Sequence, residues 1–164
     1  MKVKKFVFSP FQENTYLLIN ESNECWILDP GCYFPEEKTE LKAFIEENNL
    51  NPTRLINTHC HLDHVFGNHF VHETFGLSPE YHKLDEPTML LAPKAASMYG
   101  VPGFMVSPPA KSHLDESMKL SFGKHSFDIV FVPGHAPGHI ALIEHNQKII
   151  LGGDVLFQRS IGRT

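Results

Sequence analysis

The chain has 164 residues, of which 41% are hydrophobic and 20% charged, and this balance excludes a disordered or fibrous polymer. Its length predicts a single domain over residues 1–164 that can bury a core without disulfide bonds. The 14 basic and 19 acidic side chains give a formal net charge of −5, so no nucleic-acid partner is expected. Histidine is unusually frequent, with 11 residues, and it is the commonest metal ligand among side chains.

The cysteines and the N-terminal segment indicate the compartment. Cys25, Cys32 and Cys60 make an odd count without disulfide spacing, which is typical of a reducing environment. Polar residues and a proline interrupt the segment that follows the basic residues 1–5, which argues against a signal peptide. No apolar run approaches the ~20 residues of a membrane span. We therefore predict a cytoplasmic protein without a membrane partner.

Short apolar or alternating runs predict strands, and apolar residues three and four apart predict helices. The first helix carries Leu41 and Ile45 on one face and acidic residues in its first turn, where the helix dipole favours anions. Strands and helices mixed in this way predict a layered α/β protein. The predicted strands are 2–8, 15–20, 25–28, 54–58, 118–122, 126–132, 140–144 and 148–152, and the predicted helices are 35–48, 63–75 and 87–99.

The most informative segment follows the predicted strand 54–58 and has the pattern H-x-H-x-D-H. On an extended chain, His59 and His61 point to the same side, so both imidazoles can converge on one cation. Asp63 and His64 follow a turn of the chain and can serve a neighbouring cation. The same parity turns Cys60 away from the site, so we do not expect it to be a ligand. The pattern is expected by chance on the order of 0.002 times in this composition.

Two later residues lie at strand exits, where α/β folds usually build their sites. His135 follows Pro133-Gly134, and Asp154 follows Gly152-Gly153. Glycine at such positions lets the backbone approach a ligand closely. The predicted metal ligands are therefore His59, His61 and His135 for one ion, Asp63 and His64 for a second, and Asp154 between them.

The motifs together resemble the metallo-β-lactamase fold superfamily and, within it, the short glyoxalase II-like hydrolases of the hydroxyacylglutathione hydrolase family. The resemblance covers essentially the whole chain and four of the family's five motifs. It implies a four-layer αββα sandwich with the metal site at one edge of the sheets. The four motifs are Asp29 in Leu-Asp-Pro-Gly, the segment from His59 to His64, His135 in Pro-Gly-His-Ala-Pro-Gly-His, and Asp154 in Gly-Gly-Asp-Val-Leu-Phe.

The sequence departs from the family after Asp154. Family members continue with further strands, a helix and a final histidine ligand, whereas no histidine follows Asp154 here. The resemblance therefore implies a fold that is incomplete at the C-terminus and a second metal site that is one ligand short. We interpret the sequence as C-terminally truncated, with a partner chain or a naturally shortened non-enzyme as alternatives. An uncovered apolar sheet face at 149–157 predicts a homo-oligomer.

The resemblance implies a metal-dependent hydrolase with two zinc ions, or a mixture of zinc, iron and manganese. Two cations about 3.5–4 Å apart can generate a metal-bound hydroxide and polarise a carbonyl. Asp63 and Asp154 are the expected catalytic residues, the first orienting the hydroxide and the second bridging the ions. A thiolate leaving group, with a pKa of about 8.5 as the free thiol, needs no strong general acid. The predicted substrate is therefore a small-molecule thioester.

Three further residues keep two interpretations each. Asp29 accepts a hydrogen bond from a ligand imidazole or caps its own turn. Arg163 matches a basic position that contacts glutathione in the family, or it is a solvated terminal arginine. His139 supports the site or is a core histidine.

Two other functions stay open. A mononuclear iron persulfide dioxygenase would hold its iron with His59, His135 and Asp154. An inactive metal-binding fragment would hold one ion at the three imidazoles and leave the second site empty. Metal content and oxygen uptake distinguish these functions from the hydrolase.

Overall fold

The computed structural model describes residues 1–163, which form two stacked β-sheets and a small hairpin. The strands are β1 (Lys2–Phe8), β2 (Glu13–Ile19), β3 (Glu24–Leu28), β4 (Asn51–Ile56), β5 (Pro79–His82), β6 (Ser112–Leu114), β7 (Lys119–Phe122), β8 (His125–Phe131), β9 (Ile140–Glu144), β10 (Ile149–Leu151), β11 (Leu156–Phe157) and β12 (Ser160–Ile161). The first sheet has the order β1-β2-β3-β4-β5-β6, the second has the order β10-β9-β8-β7, and β11 pairs with β12.

Both kinds of pairing occur in the first sheet. Strands β1, β2 and β3 pair antiparallel, whereas β3 to β6 run parallel to one another. Parallel neighbours require crossover connections, and helices supply them here. The second sheet is antiparallel throughout.

Four α-helices and one 3-10 turn complete the elements. They are α1 (Pro35–Glu47), α2 (Leu62–Val65), α3 (Asn68–Phe75), the 3-10 turn Lys83–Asp85 and α4 (Glu86–Met98). Helix α1 begins with proline, which suits the first helical turn, and the Glu37 carboxylate accepts the Phe34 N–H at 2.9 Å. Leu41 and Ile45 of this helix are buried against the first sheet together with Val71 of α3.

The main core lies between the two sheets. Trp26 contacts Phe122 and Phe127 there, with ring centroids 4.5 and 5.5 Å apart. Leu18 and Leu142 are fully buried in the same cluster. Each large apolar side chain buried in this way contributes about 1.5–3 kcal/mol. The residues between the sheets therefore hold the strand ends that carry the site.

The layered α/β fold class predicted from the sequence is confirmed, and eight predicted strands and the helices at 35–48 and 87–99 match observed elements to within a few residues. Strand β4 ends at Ile56, so the prediction that a strand runs up to His59 is wrong. The single helix predicted at 63–75 is also wrong, because the chain breaks it at Phe66 and Gly67. Strands β5 and β6 were not predicted, since Pro-Glu-Tyr-His and Ser-His-Leu lack an apolar, β-branched pattern.

No helix follows α4 within residues 1–163, and the outer side of the second sheet is partly apolar. Ile150 is 59% exposed and Val130 37% exposed. Leu156, Phe157 and Ile161 of the terminal hairpin are also exposed. The homo-oligomer predicted from the sequence stays a prediction.

The three cysteines give a simple test of this packing. All three are buried and unpaired by disulfides. Burial raises the pKa of Cys25 and Cys32 to about 12, and burial together with Asp85 raises that of Cys60 well above its ordinary value. The thiols are therefore protonated and shielded at pH 8. We expect Ellman's reagent to find no reactive thiol in the native protein and three after unfolding in guanidinium; a rapidly reacting native thiol contradicts this packing.

Within residues 1–163, no helix is long and apolar enough to cross a membrane.

Candidate metal centre

Three loops bring histidines and aspartates together at one edge of the stacked sheets. His59 and His61 lie in the loop that follows β4, and His135 lies in the loop between β8 and β9. Asp154 follows β10, and His64 belongs to α2. Each loop follows a strand of the common core, so the packing between the sheets determines the relative positions of these side chains.

The first ligand group consists of three imidazoles. Each of His59, His61 and His135 offers one ring nitrogen, and these three nitrogens lie within 4.8 Å of one another. His61 Nδ1 and His135 Nε2 are 2.9 Å apart. Burial, reinforced by the neighbouring histidines, holds the pKa of His59 well below its usual value, and the pKa of His61 is also lowered. Neutral imidazoles carry the free lone pair that a metal ion needs.

The second ligand group combines His59 with His64 and Asp154. His64 Nε2 lies 3.3 Å from Asp154 Oδ1, and His135 Nε2 lies 3.5 Å from Asp154 Oδ2. Burial alone lowers the pKa of His64, but the carboxylates of Asp29 and Asp154 outweigh it and raise that pKa well above its usual value. The pKa of Asp154 is lowered, since its contacts with His64 outweigh the effect of burial. The two oxygens of Asp154 thus face different ligand groups.

Asp29 anchors the loop that carries the first two histidines. Its Oδ1 accepts the Thr58 N–H and its Oδ2 accepts the Thr58 hydroxyl, both at 2.7 Å. Its Oδ2 also lies 3.3 Å from His64 Nδ1. The carboxylate therefore contacts a candidate ligand imidazole, as one of the two interpretations of the sequence requires, and its hydrogen bonds go to the loop after β4.

Several buried nitrogens of the centre have no hydrogen-bond partner among residues 1–163. They include His59 Nε2, both ring nitrogens of His64, and His139 Nδ1. A buried polar atom without a partner costs about 1–3 kcal/mol. Ligation to a cation removes this cost for His59 Nε2 and His64 Nε2, and imidazole with carboxylate is a donor set that suits zinc, iron and manganese. The residues present therefore fit one or two divalent metal ions.

A model of the metallo-beta-lactamase superfamily matches residues 8–164. The chain belongs to this superfamily. It is 36% identical to the hydroxyacylglutathione hydrolase GloC of Haemophilus influenzae, with 100% of this chain and 76% of GloC covered. These matches support a metal-dependent hydrolase, which agrees with the donor set described above.

Two solved structures share the superfamily fold over nearly the whole chain. The structure of TTHA1623 in a di-iron-bound form is 34% identical, with a TM-score of 0.84 and coverage of 98% of this chain and 76% of that one. The BLEG-1 B3 metallo-beta-lactamase is 29% identical, also with a TM-score of 0.84, covering 99% and 77%. This similarity confirms the metallo-β-lactamase fold.

Not every predicted site residue of this superfamily member joins a ligand group. The Asp63 carboxylate lies 3.8 Å from His64 Nε2, beside the second group, and belongs to none of the converging sets. The Arg163 backbone, not its exposed side chain, contacts the centre: its carbonyl accepts the His135 Nδ1–H at 2.8 Å. This bond leaves His135 Nε2 as the nitrogen with a free lone pair.

Two residues near the centre were not among the predicted ligands. Glu13 is buried with Asp29 and His64, its Oε1 lies 3.7 Å from His64 Nδ1, and burial raises its pKa well above the usual value. The His139 ring stacks on His59 at 4.5 Å, and its Nε2 accepts the Asp154 N–H at 3.2 Å. His139 could be found from its spacing to His135, whereas Glu13 precedes the predicted strand 15–20.

A cavity of about 430 Å³ opens beside the second group. It lies between the edges of the two sheets, because β2 and the segment around β10 both contribute to its walls. Glu13, Asp29, His64 and Asp154 line its polar part, and Val3, Ile149 and Leu156 line its apolar part. The second group is therefore accessible from this side.

Proposed function

We propose that the chain is a thioesterase that binds two divalent metal ions and hydrolyses a small-molecule thioester of the hydroxyacylglutathione kind. The observation that carries the proposal is the shared geometry of the two ligand groups. His59 belongs to both groups, and Asp154 directs one oxygen to each. The similarity to GloC supports glutathione as the thiol carrier.

In this proposal the role of each residue follows from its position in the site. His59, His61 and His135 would hold the first ion, and His64 and Asp154 would hold the second, with His59 nearby. Such ions, when bound, polarise a carbonyl and lower the pKa of water towards neutrality. Asp63 lies beside the second group, with its Oδ2 3.8 Å from His64 Nε2. We propose that its carboxylate acts as the general base that accepts a proton from the attacking water.

The leaving group explains the preference for a thioester. A thiolate is a weak base, with a pKa of about 8.5 for its acid, and departs without a proton donor. The lowered pKa values of His59 and His61, caused mainly by burial, favour these two imidazoles as ligands and not as acids. An amide leaving group is a much stronger base and would need a proton donor, which the first ligand group does not supply.

The test compares four reactions of the full chain, loaded separately with zinc and with iron(II). The substrates are a glutathione thioester of a 2-hydroxy acid, the corresponding oxygen ester, a chromogenic β-lactam, and glutathione persulfide with oxygen electrode detection. We expect hydrolysis of the thioester with two metal ions per chain, and little turnover of the others. Metal binding without thioester turnover contradicts the proposal, and one iron with oxygen uptake establishes the dioxygenase instead.

A further inference from the structure

Asp85 is a fully buried carboxylate that belongs to none of the ligand groups. It ends the 3-10 turn and occupies the N-cap position of α4. Aspartate at this position ordinarily accepts a backbone N–H of its own helix, a bond worth about 1 kcal/mol. The Asp85 side chain makes no such capping bond. Its Oδ1 accepts the hydroxyl of Thr88 in the same helix at 3.3 Å, whereas the backbone N–H groups that it accepts belong to other segments of the molecule.

The carboxylate joins the two loops that carry the first ligand group. Its Oδ2 accepts the N–H of Cys60, which stands between His59 and His61. Its Oδ1 accepts the N–H of Gly138 at 2.9 Å, in the loop that carries His135. Apart from this bridge, the Ile140 N–H to Thr58 carbonyl bond at 2.9 Å connects the two segments nearer the strands.

Gly138 shows how closely the second loop approaches Asp85. A Cβ atom at Gly138 would lie 2.4 Å from the Asp85 backbone nitrogen and 2.7 Å from its Cβ. Real side chains do not tolerate such distances, so only glycine allows this contact. The loop between β8 and β9 therefore packs directly against the N-terminus of α4.

We propose that Asp85 is a positioning residue that holds the His59–His61 loop and the His135 loop at the separation required for metal binding. Outer contacts of this type orient ligands and typically change metal affinity by about 10- to 100-fold. The inference rests on the metal centre of the proposed function and is independent of which substrate is hydrolysed.

The test measures metal binding to the full chain after removal of metal by a chelator. Asp85→Asn keeps one side-chain oxygen as an acceptor. Its NH2 group replaces the other oxygen and cannot accept a hydrogen bond from the backbone N–H that it faces. We expect zinc affinity, measured by competition with a chromogenic chelator, to fall about 10- to 100-fold. The visible absorption of bound Co²⁺ should change as well, since the ligand geometry is altered.

Glu144→Gln is the matched control, because Glu144 is also a buried carboxylate that accepts a backbone N–H, from Gln147 at the far end of β9. It should leave the zinc affinity and the Co²⁺ spectrum unchanged. Parental affinity and spectrum in Asp85→Asn, or an equal loss in Glu144→Gln, overturns the inference. If Asp85→Asn does not fold, Asp85→Ser replaces it, because a serine hydroxyl can accept only one of the two backbone N–H groups; the same results are expected and the same results would contradict the inference. Absence of zinc binding by the parent chain would instead overturn the metal centre itself.

Discussion

Replacing His59 with alanine is expected to remove the first metal ion, to weaken the second so that it is lost on gel filtration, and to lower thioester hydrolysis by more than about a hundredfold, beyond the loss typical of outer contacts. The reason is that His59 Nε2 is a candidate ligand in either group, although its single lone pair can serve only one ion at a time, whereas His61 belongs only to the first group. His61→Ala should therefore retain one ion where His59→Ala retains none. Metal content after gel filtration, measured by elemental analysis, distinguishes these results.

His145→Ala is the matched control for this prediction. His145 is a surface histidine that contacts Asp128 at 2.7 Å, and it lies in the turn after β9, away from the ligand groups. This variant should keep two ions and full activity. Because His59 is fully buried, thermal unfolding of the metal-free proteins must be compared as well. Two retained ions in a folded His59→Ala protein would show that the metal site lies elsewhere.

The candidate ligands could be predicted from the sequence because they lie in short, local patterns. Four of the six predicted ligands, those from His59 to His64, fall within six residues, and His135 and Asp154 follow strands with strong apolar patterns. The alternation of side chains along an extended strand does not by itself explain why His59 and His61 converge. Both residues lie beyond the end of β4, and the hydrogen bonds of Asp29 to Thr58 hold their loop in place.

The supporting residues could not be predicted in the same way, since their roles depend on contacts between distant segments. Asp85 contacts Cys60 and Gly138, which are 25 and 53 residues away in the chain. In the sequence, it has the appearance of an ordinary helix cap. Glu13 reaches the site because Thr15 and Leu17 on the same face of β2 are buried, so the strand directs the carboxylate inward.

Strands β5 and β6 also could not be predicted from local sequence, because contacts with other segments stabilise them. Glu80 of β5 is buried, yet its charge is satisfied by Arg54 of β4, whose guanidinium donates two hydrogen bonds at 2.9 and 2.7 Å. Ser112 of β6 donates a third hydrogen bond to the same carboxylate. A short polar segment becomes a central strand only because these partners come from neighbouring strands, which no local pattern reveals.

Asp154→Asn is expected to reduce the metal content from two ions to one and to lower thioester hydrolysis by more than about a hundredfold. The substitution keeps the shape of the side chain but removes its charge and one of its two ligand oxygens. The second group then loses its only carboxylate, while the three imidazoles of the first group stay intact. Zinc titration followed by competition with a chromogenic chelator should show the loss of the weaker binding step.

Asp128→Asn provides the control, because Asp128 is a carboxylate on the second sheet that pairs with Lys119 and His145. It should bind two ions with parental affinity. The Asp154 prediction also bears on the alternative functions, since an iron site made of His59, His135 and Asp154 would lose its single ion altogether. Retention of one tightly held ion without activity supports two separable sites, whereas two ions at parental affinity would exclude Asp154 as a ligand.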